Sequence, residues 1–410
     1  MSDSQGLDEY PLGLESTAVH AGRGDLNDLG VHALPIDLST TNPLPGIDVG
    51  GDSYEAMALG GHPTPGGMVY ARLWNPTVAR FEEALAELEH AEASVAFASG
   101  MAALTALLLA RQQECGGALH VVAIRPLYGG TDHLLSSGLF GHTVTYCAPH
   151  EVAEVMRDDT GLVVLETPAN PTLDEVDIAA VVRAAGSIPV VVDNTVATPI
   201  LQNPIDHGAA YVLHSATKSI GGHGDAVGGV IVCAEERARG IRRVRAITGG
   251  ILHPLAAYLL HRGLPTLPVR VRAQQETAVL LAEFLRGQPE VLAVHHPAMS
   301  LQGVGGKQLR GPGSLLSFEL GGGFAAAEQV VSRLRLATHA VSLGGIDTLV
   351  QHPASLTHRP VPPEARPHAG LIRVSVGLET GRDLLADFSA ALAHLRSANL
   401  ALSTVGGATS

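Results

Sequence analysis

The stretch YVLHSATKSIGGHGD, residues 211–225, decides how this chain is read. Residues 211–214 form a short run rich in aromatic and branched apolar side chains, as expected of a buried strand. At its carboxyl end stand Ser215-Ala216-Thr217-Lys218, two hydroxyls and an amine, followed by the flexible Gly221-Gly222-His223-Gly224-Asp225. Lysine is scarce: of 26 basic residues only Lys218 and Lys307 are lysines. A lysine kept where arginine is otherwise preferred suggests a task closed to a permanently protonated guanidinium, and forming an imine is one. Lys307, in the Gly-rich loop 303–313, reads as a surface residue. A nucleotide P-loop requires its glycines before the lysine, and here they follow it. A dinucleotide fingerprint needs GxGxxG between a strand and a helix, whereas these glycines lead into a strand. A structural turn with an incidental lysine stays open on this segment alone.

Outward from this segment, between about residues 70 and 235, short β-branched runs alternate with helix-like segments. That is the pattern of an α/β domain whose parallel-type sheet is covered on both faces. The expected strands are 94–98, 120–124, 162–165, 189–192, 211–214 and 227–233. A helix is expected over 101–111, and another starts where Asn75 caps Pro76, placing Phe81, Leu85 and Leu88 on one face. Residues 1–69 read as an extended N-terminal arm, with 41–67 as a loop. After 264–268 the pattern changes to a long helix over 271–286 and strands near 314–320 and 371–376, a smaller α+β domain. The expected division is an arm over 1–69, a large domain over 70–268 and a C-terminal domain over 269–410, with 401–410 frayed.

The 410 residues exceed what one core usually serves, which agrees with at least two packed units. Although 46% of the residues are hydrophobic, the longest apolar stretch, 101–110, is far short of a membrane span. The polar, acidic first ten residues lack a secretory signal, so a cytoplasmic location is expected. A net charge of −14 argues against nucleic acid or an anionic membrane as partner. Cys115, Cys147 and Cys233 form no CxxC pair and read as reduced, buried thiols. His352 and His358 are the nearest approach to a spaced metal pair, but no HExxH or carboxylate cluster accompanies them, and no metal is expected.

In an open parallel sheet, ligands bind beyond the carboxyl ends of the strands, and the polar residues of interest sit there in turn. Strand 94–98 runs into Ser99-Gly100-Met101 at a helix start, where free N–H groups and the positive end of the dipole suit a phosphate. Strand 189–192 ends in Asp193-Asn194-Thr195, a carboxylate at the strand's mouth that also fits a simple cap. Strand 211–214 ends in the Lys218 segment. An anion site, a carboxylate for a pyridine nitrogen and a Schiff-base lysine together match the requirements of pyridoxal 5′-phosphate (PLP).

At these residues the chain resembles the Cys/Met-metabolism family of PLP enzymes, which includes cystathionine γ-synthase, cystathionine γ-lyase, methionine γ-lyase and O-acylhomoserine sulfhydrylase. The resemblance rests on Tyr70-Ala71-Arg72 with Asn75-Pro76-Thr77, Ser99-Gly100-Met101, Tyr128-Gly129-Gly130-Thr131 and Glu166-Thr167-Pro168-Ala169-Asn170-Pro171. It continues through Asp193-Asn194-Thr195, Ser215-Ala216-Thr217-Lys218, Ser342-Leu343-Gly344-Gly345, His352-Pro353-Ala354-Ser355 with Thr357-His358, and Arg373-Val374-Ser375-Val376-Gly377. It implies the aminotransferase-like fold and a homotetramer of tight dimers with shared active sites. It further implies that Lys218 carries the cofactor and shuttles protons, that Asp193 pairs the pyridine nitrogen and that Tyr128 stacks on the ring. Ser99, Gly100, Met101, Ser215 and Thr217 would hold the phosphate, with Tyr70 and Arg72 from a neighbouring subunit. Asn170 would lie near the ring oxygen, while Arg373 and the backbone around Ser342 would clamp the carboxylate of a small amino-acid substrate.

Members of the family expel a group from Cγ through a vinylglycine-type intermediate, which either takes up a nucleophile or decays to a 2-oxo acid and ammonia. The shared machinery leaves γ-elimination and γ-replacement both open. The style of residues 351–358 resembles methionine γ-lyases, yet those enzymes carry a cysteine where this chain has Gly130 and a Lys-Asp pair near Arg245-Ala246. The usual Ser-Pro-x-Asp is His253-Pro254-Leu255-Ala256 here. Many cystathionine enzymes place a glutamate where this chain has Val341, so a methionine- or O-acylhomoserine-type substrate is expected over cystathionine. A catalytically silent PLP-fold scaffold is the other class of reading, against which an intact Lys218, Asp193, Tyr128 and Arg373 argue.

Overall fold

A computed structural model describes residues 12–299, 305–357, 359 and 366–406. Seven strands form the first sheet: β1 (Ala93–Phe97), β2 (His120–Ile124), β3 (Thr143–Cys147), β4 (Thr160–Glu166), β5 (Val190–Asp193), β6 (Tyr211–His214) and β7 (Gly229–Cys233). Their order is β1-β7-β6-β5-β4-β2-β3. The five from β6 to β3 are parallel, as alternating strands and helices dictate, but β7 runs antiparallel to both β6 and β1. The sheet is therefore mixed rather than wholly parallel. The link from β6 to β7 carries the Lys218 segment and no crossover helix, so the chain returns in the opposite direction.

Register sets up the site. Glu166 pairs with Asp193, and Asp193 with Leu213, so β4, β5 and β6 end level with one another. Val95, Val121, Leu162 and Ile231 pack on one face of the sheet against Leu104 and Leu107 of the helix Gly100–Glu114. Val122, Val163 and Val192 pack on the other face against Ile178 and Val181. A second sheet holds β8 (Val291–His295), β9 (Leu315–Leu320), β10 (Thr338–His339), β11 (Leu349–Gln351) and β12 (Leu371–Ser375), in the order β10-β11-β12-β9-β8. Its core of Leu316, Phe318 and Val374 is closed by Leu281 and Leu285 of the helix Leu267–Arg286 and by Phe388 of the helix Gly381–Gly406. Phe388 meets Phe318 edge-on, with ring centroids 6.2 Å apart.

Several local expectations differ from the structure. Ile47–Ala58 is helical where a loop is expected, and Leu14–His20 forms a short helix in the arm. Gly50 and Gly51 weaken the first helix locally, but Met57 is buried with Leu73 and Ala246, so tertiary packing overrides propensity. β3 alternates polar and apolar residues at the sheet edge and is half-exposed, which hides it from a search for fully apolar runs. The C-terminal helix continues to Gly406, into the segment read as frayed. Cys233 is buried as expected, Cys147 is half-buried, and Cys115 is exposed at the C-terminal end of the helix Gly100–Glu114. His352 has both ring nitrogens engaged, with Ser355 Oγ at 2.8 Å and Ala369 O at 2.8 Å. His358 lies outside the described residues. Among the described residues, no group of three or more metal-ligating side chains forms and no helix is long and apolar enough to cross a membrane.

The helix Pro76–Leu88 starts as its sequence predicts, with Asn75 Oδ1 accepting from the N–H groups of Thr77 and Val78 and with Phe81, Leu85 and Leu88 fully buried. Glu89, at its end, is 0% exposed and accepts from His214 Nε2 (2.5 Å), Asn194 Nδ2 (2.8 Å) and Asn203 Nδ2 (3.3 Å). One carboxylate thus ties the helix end to the ends of β5 and β6. Among the described residues, removing it takes the sole partner of the buried His214 ring and one of the two acceptors of each amide nitrogen, so Glu89→Ala is expected to cost about 3–5 kcal/mol. The measurement is the thermal unfolding midpoint, and an unchanged midpoint would show that the network contributes little.

Candidate active site

A cavity of about 480 Å³ opens at the level ends of β4, β5 and β6 and is closed on its other side by the second sheet. Twelve of the residues singled out from sequence line it: Ser99, Gly100, Met101, Tyr128, Asn170, Asp193, Ser215, Thr217, Lys218, Val341, Ser342 and Arg373. Tyr70 and Arg72 do not line it. Tyr70 is exposed, and Arg72 stacks 5.5 Å from its ring centroid while donating to Ala246 O.

Lys218 Nζ donates to Ser342 Oγ at 2.9 Å. Burial, and secondarily the positive Arg373, push its pKa down to about 8. A substantial neutral fraction is therefore present near pH 7 to 8, as a nucleophilic amine requires. Lys307, by contrast, is exposed. Ser342 holds a positive φ of 89°, a strained conformation for a side-chain-bearing residue. In this conformation its hydroxyl meets Lys218 and its carbonyl meets Arg373.

Arg373, on β12, is 3% exposed. Nη1 donates to Asn170 Oδ1 (3.0 Å), and Nη2 donates to Ser342 O (2.5 Å) and Gln351 Oε1 (2.6 Å). Among the described residues, its Nε is buried without a hydrogen-bond partner. Burial lowers its pKa to about 10, opposed by the charge of Glu166, so it stays cationic. A buried, positioned guanidinium with an unmet donor is suited to an incoming carboxylate.

On the opposite wall, Ser99 caps the helix Gly100–Glu114, its Oγ accepting from Ala102 N–H at 3.1 Å. Gly100 and Met101, in the first turn, line the cavity where a helix N-terminus favours an anion. Three backbones converge there: a Cβ on Gly100 would lie 3.2 Å from Ser215 Cβ, and one on Gly229 would lie 2.2 Å from Ser99 O. Thr217 Oγ1 already donates to Gly228 O (3.1 Å) and accepts from Gly228 N–H (3.0 Å), fixing the loop rather than leaving a free hydroxyl.

Between these walls lies Asp193, whose Oδ1 accepts from Thr195 N–H (3.0 Å) and Thr195 Oγ1 (2.5 Å). Burial raises its pKa, opposed by the Thr195 bonds and by His214. Tyr128 is 39% exposed, and its ring lies over Gly130, where a Cβ would come within 2.6 Å of Tyr128 Cε1. Glu166, Thr195, Gln351 and Thr357 also line the cavity, although sequence reasoning gave them no role. Glu166, Thr195 and Thr357 stand inside motifs already noted. Gln351 belongs to a three-residue strand with no local signal.

Residues 15–393 match the family described as Cys/Met metabolism PLP-dependent enzyme. The chain is 58% identical over 389 residues to an L-methionine gamma-lyase of Brevibacterium sandarakinum, covering 94% of this chain and 98% of that one. The structure of cystathionine gamma synthase from Xanthomonas oryzae pv. oryzae in complex with cystathionine superposes with a TM-score of 0.86 at 34% identity, covering 95% of this chain and 100% of that one. Cystathionine gamma-lyase CalE6 from Micromonospora echinospora gives 0.82 at 37% identity, covering 93% and 100%. The cavity fits PLP on its own chemistry: a helix N-terminus approached closely at Gly100 and Gly229 for the phosphate, a half-buried carboxylate in the lining and a neutralisable lysine. With the sequence match spanning nearly the whole chain and the fold agreeing, this protein belongs to the Cys/Met-metabolism family of PLP-dependent enzymes.

Proposed function

We propose that the enzyme performs γ-elimination on L-methionine or a similar small thioether amino acid, releasing a thiol, a 2-oxo acid and ammonia. The observation that carries this reading is the lining of the cavity, where Val341, 54% exposed, stands with Val227 and Thr357, and where among the described residues the only carboxylates are Glu166 and Asp193, both given other tasks. The relatives named L-methionine gamma-lyase support it. PLP, when bound, supplies an electron sink for charge developing at the substrate's Cα.

In this reading Lys218 holds the cofactor and moves protons between Cα and Cβ, and its contact with Ser342 keeps the amine directed into the cavity. Asp193 keeps the pyridine nitrogen protonated by charge pairing. Tyr128 covers the ring, and Gly100, Met101, Ser215 and Thr217 surround the phosphate. Arg373, oriented by Asn170, Ser342 and Gln351, receives the substrate carboxylate through its unspent N–H. Tyr70 and Arg72 serve a neighbouring subunit's cavity in a cytoplasmic homotetramer. Their position outside their own cavity supports this, as do the exposed Ile36, Leu38, Leu44 and Ile47 of the arm.

A substrate panel with 2-oxobutyrate detection, run with and without added thiols, tests the reading. Methionine or an O-acylhomoserine is expected to outperform cystathionine, whose second ammonium would be desolvated without a partner. Val341→Glu should shift preference modestly towards cystathionine. The reading fails if the parent enzyme processes cystathionine with a higher kcat/KM than every thioether and O-acylhomoserine tested. Thiol-dependent product without 2-oxobutyrate would establish γ-replacement instead.

A further inference from the structure

We infer that Glu166 is a positioning residue that locks the ring-covering wall and the carboxylate clamp of the cavity into one geometry. This rests on the roles proposed above for Tyr128 and Arg373. Glu166 ends β4 and is 4% exposed. Its Oε2 accepts from the N–H of Tyr128 at 2.6 Å, and its Oε1 accepts from the N–H of Asn170 at 2.9 Å. Asn170 Oδ1 in turn accepts from Arg373 Nη1 at 3.0 Å. One side chain thereby joins the loop after β2, the loop after β4 and, through Asn170, β12 of the second sheet.

Two features argue for more than structural capping. Glu166 sits directly opposite Asp193 in the β4–β5 register, so a buried carboxylate is kept beside a half-buried one. Burial and the charge of Asp193 both push Glu166 towards protonation, against the pull of the two N–H bonds and Arg373. Such an arrangement is costly, and costs of this kind are retained where function over-determines the geometry. The chemistry also selects a carboxylate, because two N–H donors approaching from different loops need two acceptor oxygens. An amide offers one acceptor and would turn its own NH₂ against the other donor.

The test uses the PLP-loaded enzyme and the isosteric Glu166→Gln. Two readouts are taken beside turnover: binding of glycine, which has the carboxylate and amine but no leaving group, and induced circular dichroism in the cofactor's visible band. We expect glycine binding to weaken about tenfold, in the range seen when the groups that orient a ligand-binding residue are altered, and the dichroic band to lose at least about half its amplitude. In a cycle with Asn170→Ala, the losses in glycine affinity should be strongly non-additive, because both act on Arg373 through one path. Glu166→Asp keeps two acceptors but is too short to span both loops. It should give the same pattern, and it serves if the glutamine variant fails to fold. Glycine affinity and dichroism within twofold of the parent in either folded variant, or additive losses in the cycle, would overturn the inference. Since glycine carries no Cγ substituent, these readouts stand even if methionine proves not to be the substrate.

Discussion

Lys218→Ala is expected to abolish turnover while leaving the fold intact and PLP bound non-covalently. The amine is unique in the cavity: Lys307 is exposed and does not line it. Its surroundings are built around it, with Ser342 in a strained conformation whose hydroxyl reaches Nζ at 2.9 Å and Arg373 holding the same residue by its carbonyl. On the roles proposed above, alanine removes both the covalent anchor and the group placed to carry a proton. Loss of a positioned proton-transfer group alone costs on the order of 10²–10⁴ in rate, so turnover should fall by at least that. The phosphate wall and Asp193 remain, so a dialysed sample should retain the cofactor's absorbance but lose it on gel filtration in denaturant, without a borohydride-fixed adduct. Turnover within tenfold of the parent would refute the assignment.

Asp193→Ala should be nearly as damaging. The carboxylate is half-buried between β4 and β6, held by Thr195 and flanked by Glu166 across the register. Among the described residues the only other carboxylate lining the cavity is Glu166, which is committed to the N–H groups of Tyr128 and Asn170. A buried cation left without its partner costs roughly 3–5 kcal/mol. PLP should therefore bind more weakly, and the ring should lose the proton that makes it an electron sink. Exchange of the substrate α-proton in deuterated water isolates this step from later ones. An exchange rate equal to the parent's would show that another residue has the role.

The local structure was most legible where side-chain chemistry and backbone need coincide. Asn75-Pro76 starts a helix because a short amide caps two N–H groups and proline loses none it needs, and the structure has that cap. Residues 120–124 and 211–214 are strands because five and four consecutive positions are buried on both faces. The helix Ile47–Ala58 and the edge strand β3 were not legible, since each is stabilised by one face only and carries weak local preference.

In the cavity, the residues with unusual chemistry in the sequence, Lys218, Asp193, Arg373 and Tyr128, were identifiable from motif and type alone. The family, the cofactor and the mixed chemistry of the site were therefore determined by the sequence. Three things were decided only by the tertiary structure: that β4 to β6 end level, that Arg373 keeps an unspent N–H, and that Glu166 bridges two loops. The reason is physical. A side chain's chemical type is local information, whereas register, burial and the commitment of each hydrogen bond depend on groups as far apart as the 203 residues that separate Asn170 from Arg373. Only packing brings those groups within 3 Å.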